Sequence, residues 1–162
     1  MTSTPTGSAG RSLGRQLALT HKAVHEWADG LLAAHGSSLT TWIVLWHAAE
    51  TPEPGLSQKN LADSMAIGGP ALVRHLDRLE AEGMVQRTRD PQDRRVMRIT
   101  LTADGRHHLD ELRVMMVEHD QQMREQLTAQ EDRVLERALT KLHEFAIRAI
   151  DTTRQDDETD VA

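Results

Sequence analysis

The chain of 162 residues has no cysteine. That excludes disulfides, thiolate zinc sites, cysteine nucleophiles and cysteine-based oxidation sensing. Aromatic residues make up 2% of the chain, too few for a platform on which single-stranded bases would stack. No apolar run approaches the ~18 residues of a membrane helix, so no membrane partner is expected. The opening MTSTPTGSAG lacks a charged n-region and an apolar h-region, so it is no secretory signal. Together these absences fit a cytoplasmic protein. Catalytic motifs are missing too: there is no GxSxG and no GxxxxGK[ST], and the glycines of GSAGRSLG follow no strand. The many carboxylates fall on helix faces. No enzyme activity, cofactor or metal is expected.

What the chain has is unevenly placed charge. The formal net charge is -6. Residues 56–106 are net basic, while 107–162 are strongly acidic. Five arginines fall between Arg87 and Arg98, around DPQDRRVMRITLT. A basic centre between acidic flanks can mark a binding face.

Apolar spacing orders the rest. Leu13, Leu17, Val24, Trp27 and Leu31 recur at mostly helical intervals. A second helix starts near Leu39, holds WIVLWHAA and is broken by ETPEPG. Ser57 is placed as an N-cap, and Leu56 and Leu61 as a hydrophobic staple, which predicts a short third helix. IGGP is a tight turn with Pro70 in the first turn of a fourth helix. Leu72, Leu76 and Leu79 face inward there, Arg74, His75 and Arg78 project elsewhere, and Gly83 is a natural stop. Met84 to Arg89 alternates as a strand, as do Met97, Ile99 and Leu101. DPQD between them is turn chemistry. Thr102 caps a long helix running to about Gln126, and TAQE (128–131) is a capping box opening the last.

A short helix, a turn and a longer basic-faced helix make a helix-turn-helix, and the hairpin after it is a wing. The expected fold is mainly α (α+β): a winged helix-turn-helix over 38–101, helices for dimerisation over 11–36 and 102–152, and disordered tails over 1–10 and 153–162. The excess apolar surface on the terminal helices implies a partner, most simply a second copy in a homodimer.

The stretch GLSQKNLADSMAIGGPALVRHLDRLEAEGMVQRTRDPQDRRVMRITLTADGR, about a third of the chain, resembles the MarR (multiple antibiotic resistance regulator) family of transcription factors, and within it the SlyA-type branch. The wing pattern Asp93-Arg94-Arg95 followed by LTADG carries much of the likeness. The resemblance implies a cytoplasmic dimer, a repressor in kind, bound to a pseudo-palindromic site on double-stranded DNA. It implies that the helix starting near Gly69 enters the major groove and the wing the adjacent minor groove. The DNA-binding set it implies is Ser57, Gln58, Gly69, Pro70, Arg74, Arg78, Arg87, Arg94 and Arg95, with Asp93 orienting Arg95 by an ion pair. It further implies a small aromatic acid effector held by Arg15, Trp42 and Trp46. Independently of any family, arginine can bind guanine bidentately, and a narrow minor groove attracts inserted arginine.

Plainer readings stand beside these. Trp42 and Trp46, one turn apart, can be core packing. Arg78 can pair with Glu82 at i, i+4. His21 and His25 have ligand spacing, which would suit a metal-responsive regulator, but no HExxH supports them. A winged helix that binds protein and never DNA is the other alternative; a wing lacking basic residues would favour it.

Overall fold

The computed structural model describes residues 12–65 and 68–159, with nine elements. In chain order they are α1 (Leu13–Ala33), α2 (Leu39–Glu50), β1 (Leu56–Ser57), α3 (Gln58–Met65), α4 (Gly69–Ala81), β2 (Val85–Arg89), β3 (Met97–Leu101), α5 (Ala103–Arg124) and α6 (Ala129–Thr159). The chain forms two compact units, divided within α5 after Val117. The expected tail over 1–10 lies outside the described residues. The expected tail over 153–162 is corrected in part: α6 runs to Thr159. TTRQDDET contains no glycine or proline to stop a helix.

The first unit is built on one apolar core. Val44 and Leu45 of α2, Leu61 of α3, Leu72, Leu76 and Leu79 of α4, Val85 and Ile99 of the sheet and Leu109 of α5 are all essentially inaccessible. The inward face of α4 is the one its leucine spacing predicts. On α1 the buried face is shifted: Ala28 and Leu32 are buried, while Leu13, Leu17, Trp27 and Leu31 remain exposed.

Several helix ends in this unit have a chemical cause. Two side chains cap α2: Ser38 Oγ accepts from the Thr41 amide at 3.1 Å, and Asp29 of α1 accepts from the Leu39 amide at 2.8 Å. Ser57 Oγ accepts from Asn60 N at 3.1 Å, as an N-cap should. Past α4, Gly83 takes φ +73°. Its amide donates to Glu80 O, and Met84 N donates to Leu79 O, the paired bonds of a Schellman motif. Thr102 Oγ1 accepts from Gly105 N at 3.0 Å and so starts α5.

The sheet has the antiparallel order β1-β3-β2. β2 and β3 form the expected hairpin, with Arg87 opposite Ile99 and Arg89 opposite Met97. β1 was not expected. Leu56 and Ser57 pair with Ile99 and Arg98, which binds the start of α3 to the base of the wing. Gly55 makes that approach possible: it sits at φ +96°, and a Cβ there would lie 2.7 Å from Thr100 Cγ2 and 2.8 Å from Ile99 O.

In the second unit, the capping box forms as the sequence predicts: Glu131 Oε2 accepts from Thr128 N at 2.8 Å, and Thr128 Oγ1 accepts from Glu131 N at 3.3 Å. Along α6, Val134, Leu135, Leu139, Phe145, Ile147 and Ile150 are exposed. Among the described residues no helix is long and apolar enough to cross a membrane.

Candidate nucleic-acid interface

α3 and α4 stand beside the β2–β3 wing, and a groove of about 660 Å³ runs between them. Ser57 of β1 and Gln58, Lys59 and Asn60 of α3 line it, with Gly69 from the start of α4 and Arg95 and Arg98 from the wing. Four of the residues expected to meet DNA, Ser57, Gln58, Gly69 and Arg95, therefore share one concave surface. Pro70 and Arg74 are exposed on the first turns of α4, and Arg94 is exposed at the wing tip. Lys59 and Asn60 belong to the same surface. Sequence reasoning passed over them because it stopped at the cap of α3; the rule that a helix N-terminus faces anions would have reached them.

The wing tip is a tight turn organised by two aspartates. Asp90 is buried, and its Oδ1 accepts from the amides of Gln92 at 2.7 Å and Asp93 at 3.0 Å. Its Oδ2 accepts from Arg98 Nε at 2.7 Å, and Arg98 Nη1 donates onward to the Gly55 carbonyl. The Asp93 amide bond, the Arg98 guanidinium and the Gln92 amide hold the Asp90 carboxyl below its ordinary pKa. Arg94 and Arg95 then occupy the middle of a turn closed by Val96 N donating to Asp93 O. The expected ion pair of Asp93 with Arg95 is corrected. Asp93 Oδ1 accepts from the Arg95 backbone amide at 3.0 Å. Within so short a turn the carboxylate satisfies the nearer backbone N–H, as aspartate does in Asx turns, and the Arg95 guanidinium stays exposed.

Arg87 is corrected as well. Its Nη2 lies 2.6 Å from both Asp77 and Glu80, its Nε donates to Glu80 at 2.9 Å, and its side chain is 18% accessible. The carboxylates raise the Arg87 pKa further, chiefly through the Glu80 hydrogen bond, and Glu80 is lowered in turn. Arg87 is a clasp between the wing and α4, its Nε and Nη2 donors taken by Glu80 and Asp77.

Arg78 is partly engaged by protein as well. It donates to Thr41 Oγ1 of α2 at 3.3 Å and lies 3.8 Å from Glu82, the i, i+4 partner. His75 shares this junction, 3.4 Å from Thr41 Oγ1. Burial first, then Arg78, lowers the His75 pKa, with Glu82 opposing.

The expected effector residues are less gathered. Trp42 packs partly buried against the core, while Trp46 is exposed with its ring beside His47 at 5.3 Å between centroids. Arg15 is exposed on α1. His21 and His25 meet edge to face at 5.7 Å, as a ring contact.

Fold and groove together define a winged helix-turn-helix protein. Residues 38–97 match the MarR family. Over 106 residues the chain is 32% identical to the uncharacterized HTH-type transcriptional regulator YdgJ of Bacillus subtilis (strain 168), covering 65% of this chain and 62% of that protein, less than two thirds of its length. CouR from Rhodococcus jostii RHA1, bound to p-coumaroyl-CoA, is similar with 27% identity and a TM-score of 0.74, over 86% of this chain and 96% of that one. The transcriptional repressor CouR bound to a 23-mer DNA duplex gives 26% identity and a TM-score of 0.75, over 88% and 99%. Over residues 38–97 the chain is thus similar to the MarR family.

Proposed function

We propose that the protein is a sequence-specific DNA-binding repressor that acts as a homodimer on a pseudo-palindromic operator. The observation that carries this reading is the groove between α3, α4 and the wing, with its basic rim. Ser57, Gln58, Lys59 and Asn60 hold phosphate, Pro70 and Arg74 meet base edges in the major groove, and Arg94 and Arg95 enter the minor groove. The DNA-bound state of the similar CouR supports the mode of action. The exposed apolar residues of α1 and α6 supply the homodimer contacts. Within the family we place the chain in the SlyA-type branch, on Asp93-Arg94-Arg95 and LTADG.

A small aromatic acid, held by Arg15 and flanked by Trp42 and Trp46, releases the DNA. Support comes from the arginine and indole chemistry and from the aromatic acyl-CoA ligand of CouR. A ligand shifts DNA binding only by its differential affinity for the two states. Footprinting on DNA flanking the protein's own gene, with and without salicylate-like acids, tests both parts. A protected pseudo-palindrome that fades with the acid is the expected result. Absence of any protected site overturns the operator, and protection unchanged at millimolar acid overturns the effector.

A further inference from the structure

Thr41, buried in the first turn of α2, is the point where that helix is tied to α4. Its hydroxyl has no spare hydrogen-bonding capacity. Arg78 Nη2 donates to Thr41 Oγ1 at 3.3 Å, and His75 Nε2 lies 3.4 Å from the same oxygen. The Thr41 proton then goes to Ser38 Oγ, 3.1 Å away, the side chain that caps α2. A guanidinium only donates, so His75 Nδ1, 3.4 Å from Arg78 Nη2, accepts. Nε2 therefore carries the ring proton and donates to Thr41. The set closes only on a neutral imidazole. Charged groups approach it from several elements. Arg78 and Glu82 share its helix, with Glu82 3.8 Å from Arg78 Nε. From α5, His108 lines the small cavity beside Thr41, Arg78 and Glu82, and lies 3.5 Å from Glu111. From α1, Asp29 is taken by the Leu39 amide, and His35 lies 3.2 Å from the Leu31 carbonyl. α2 contributes the hydroxyls of Ser38 and Thr41.

We propose that Thr41 and His75 are positioning residues for DNA binding: they form a proton-sensitive latch that seats α4 on α2, closed when His75 is neutral and open when it is protonated. The latch rests on the DNA-binding reading above and adds a regulation to it. A second ring proton turns Nδ1 from acceptor to donor. It then faces another donor, and two cations stand where a 3.4 Å hydrogen bond was. One of the two side chains must move, and Thr41 loses a bond from α4. Burial and Arg78 hold the His75 pKa below its ordinary 6.5, while Glu82 favours the charged ring. Arg74, which meets base edges in the proposed function, precedes His75 by one position on the same helix. Freeing this side of α4 loosens the placement that base reading needs. DNA that selects the latched form competes with the proton. Affinity is therefore level above the ordinary histidine value and falls as pH drops through the lower folded value.

Nuclear magnetic resonance of the full chain between about pH 7.5 and 5 reads the latch without DNA. The Thr41 amide should shift with the same midpoint as the His75 ring (assigned with His75→Gln), and should not titrate in His75→Gln. Anisotropy of a labelled duplex from the DNA flanking the protein's own gene, at fixed ionic strength, reads the consequence. Wild type should lose affinity about ten-fold over that range, and His75→Gln, whose amide still donates to Thr41, less than about two-fold. Thr41→Val should bind about three-fold more weakly at the upper pH with a flat profile, and Thr41→Ser should restore both strength and slope. A threonine that is merely structural would give weaker binding with the wild-type profile. His108→Gln should keep the wild-type profile. Helical circular dichroism confirms that each variant folds, and His75→Gln decides alone if Thr41→Val does not. A Thr41 amide that does not follow His75, or equal pH profiles in wild type and His75→Gln, overturns the latch. A duplex that wild type leaves unbound at every pH overturns the DNA-binding reading instead, and the Thr41 amide then decides the latch.

Discussion

Single arginines in this protein do different work although they are one residue type. Arg74 is exposed on the first turns of α4, where the proposed function has it meet bases. Arg74→Ala should cost about 1–3 kcal/mol on the operator and relax preference at one position per half-site; competition binding across single-base operator variants measures it. Arg87 is committed to Asp77 and Glu80. Arg87→Ala should therefore lower the melting temperature, with a stability loss of about 1–2 kcal/mol for partly exposed charged hydrogen bonds. This division is illegible in sequence, because Asp77 and Glu80 precede Arg87 by ten and seven positions and meet it only after α4 turns back into β2. Asp93 and Arg95 sit close enough in sequence to suggest an ion pair, yet Asp90 and Arg98, eight apart across the hairpin, make it. His75 adds a pH effect. Its folded pKa is lowered from 6.5, so the unfolded chain takes up its proton first as pH falls. Stability is thus lost below about pH 6.5. His75→Asn should flatten this part of the dependence of melting temperature on pH between about 7.5 and 5.

At the scale of elements, the wing and its support form one hydrogen-bonded piece. The hairpin and the helix-turn-helix are legible because their periods and stop signals are strong: three leucines on α4, Gly83 after it, alternation in Met97, Ile99 and Leu101. β1 is not legible, since two residues show no period and their strand character comes from pairing with β3. The groove itself was only half legible, its helix side being readable from Ser57 while Arg98 at its base was not. Removing the organising carboxylate tests the element. Asp90→Ala frees two wing amides and the Arg98 guanidinium, so it should melt the wing turn and weaken DNA binding while Asp93→Ala does less. Nuclear magnetic resonance of the amides of Gln92 and Asp93 reads the turn directly. The sign with pH follows from the lowered Asp90 pKa: its stabilisation is present above the ordinary value of 3.8 and is lost as pH falls through the lower folded value. Acid titration of wild type should therefore release the wing turn only below about pH 4, and Asp90→Ala should show no such step.

The whole molecule separates its charges. Residues 56–106, which carry the groove and wing, are net basic, and the acidic excess lies in residues 107–162, away along the chain from the proposed DNA face. Truncation after Arg124 removes α6 and should abolish both dimerisation and operator binding, read by sedimentation and by gel shift; a truncated chain that still dimerises and binds would remove α6 from the account. The central claim is that the wing and helix-turn-helix grip DNA, and a salt series tests it most directly. Operator affinity is measured for wild type, Arg94→Ala and Arg95→Ala, each confirmed folded and dimeric. Removing one arginine–phosphate interaction flattens the slope of log K against log salt by about one unit, and in a dimer each substitution removes it from both half-sites. Both variants are predicted to bind specific and non-specific DNA more weakly, with that flatter slope. Binding equal to wild type at every salt concentration would contradict the account, because a wing that does not touch DNA leaves its arginines without a role there.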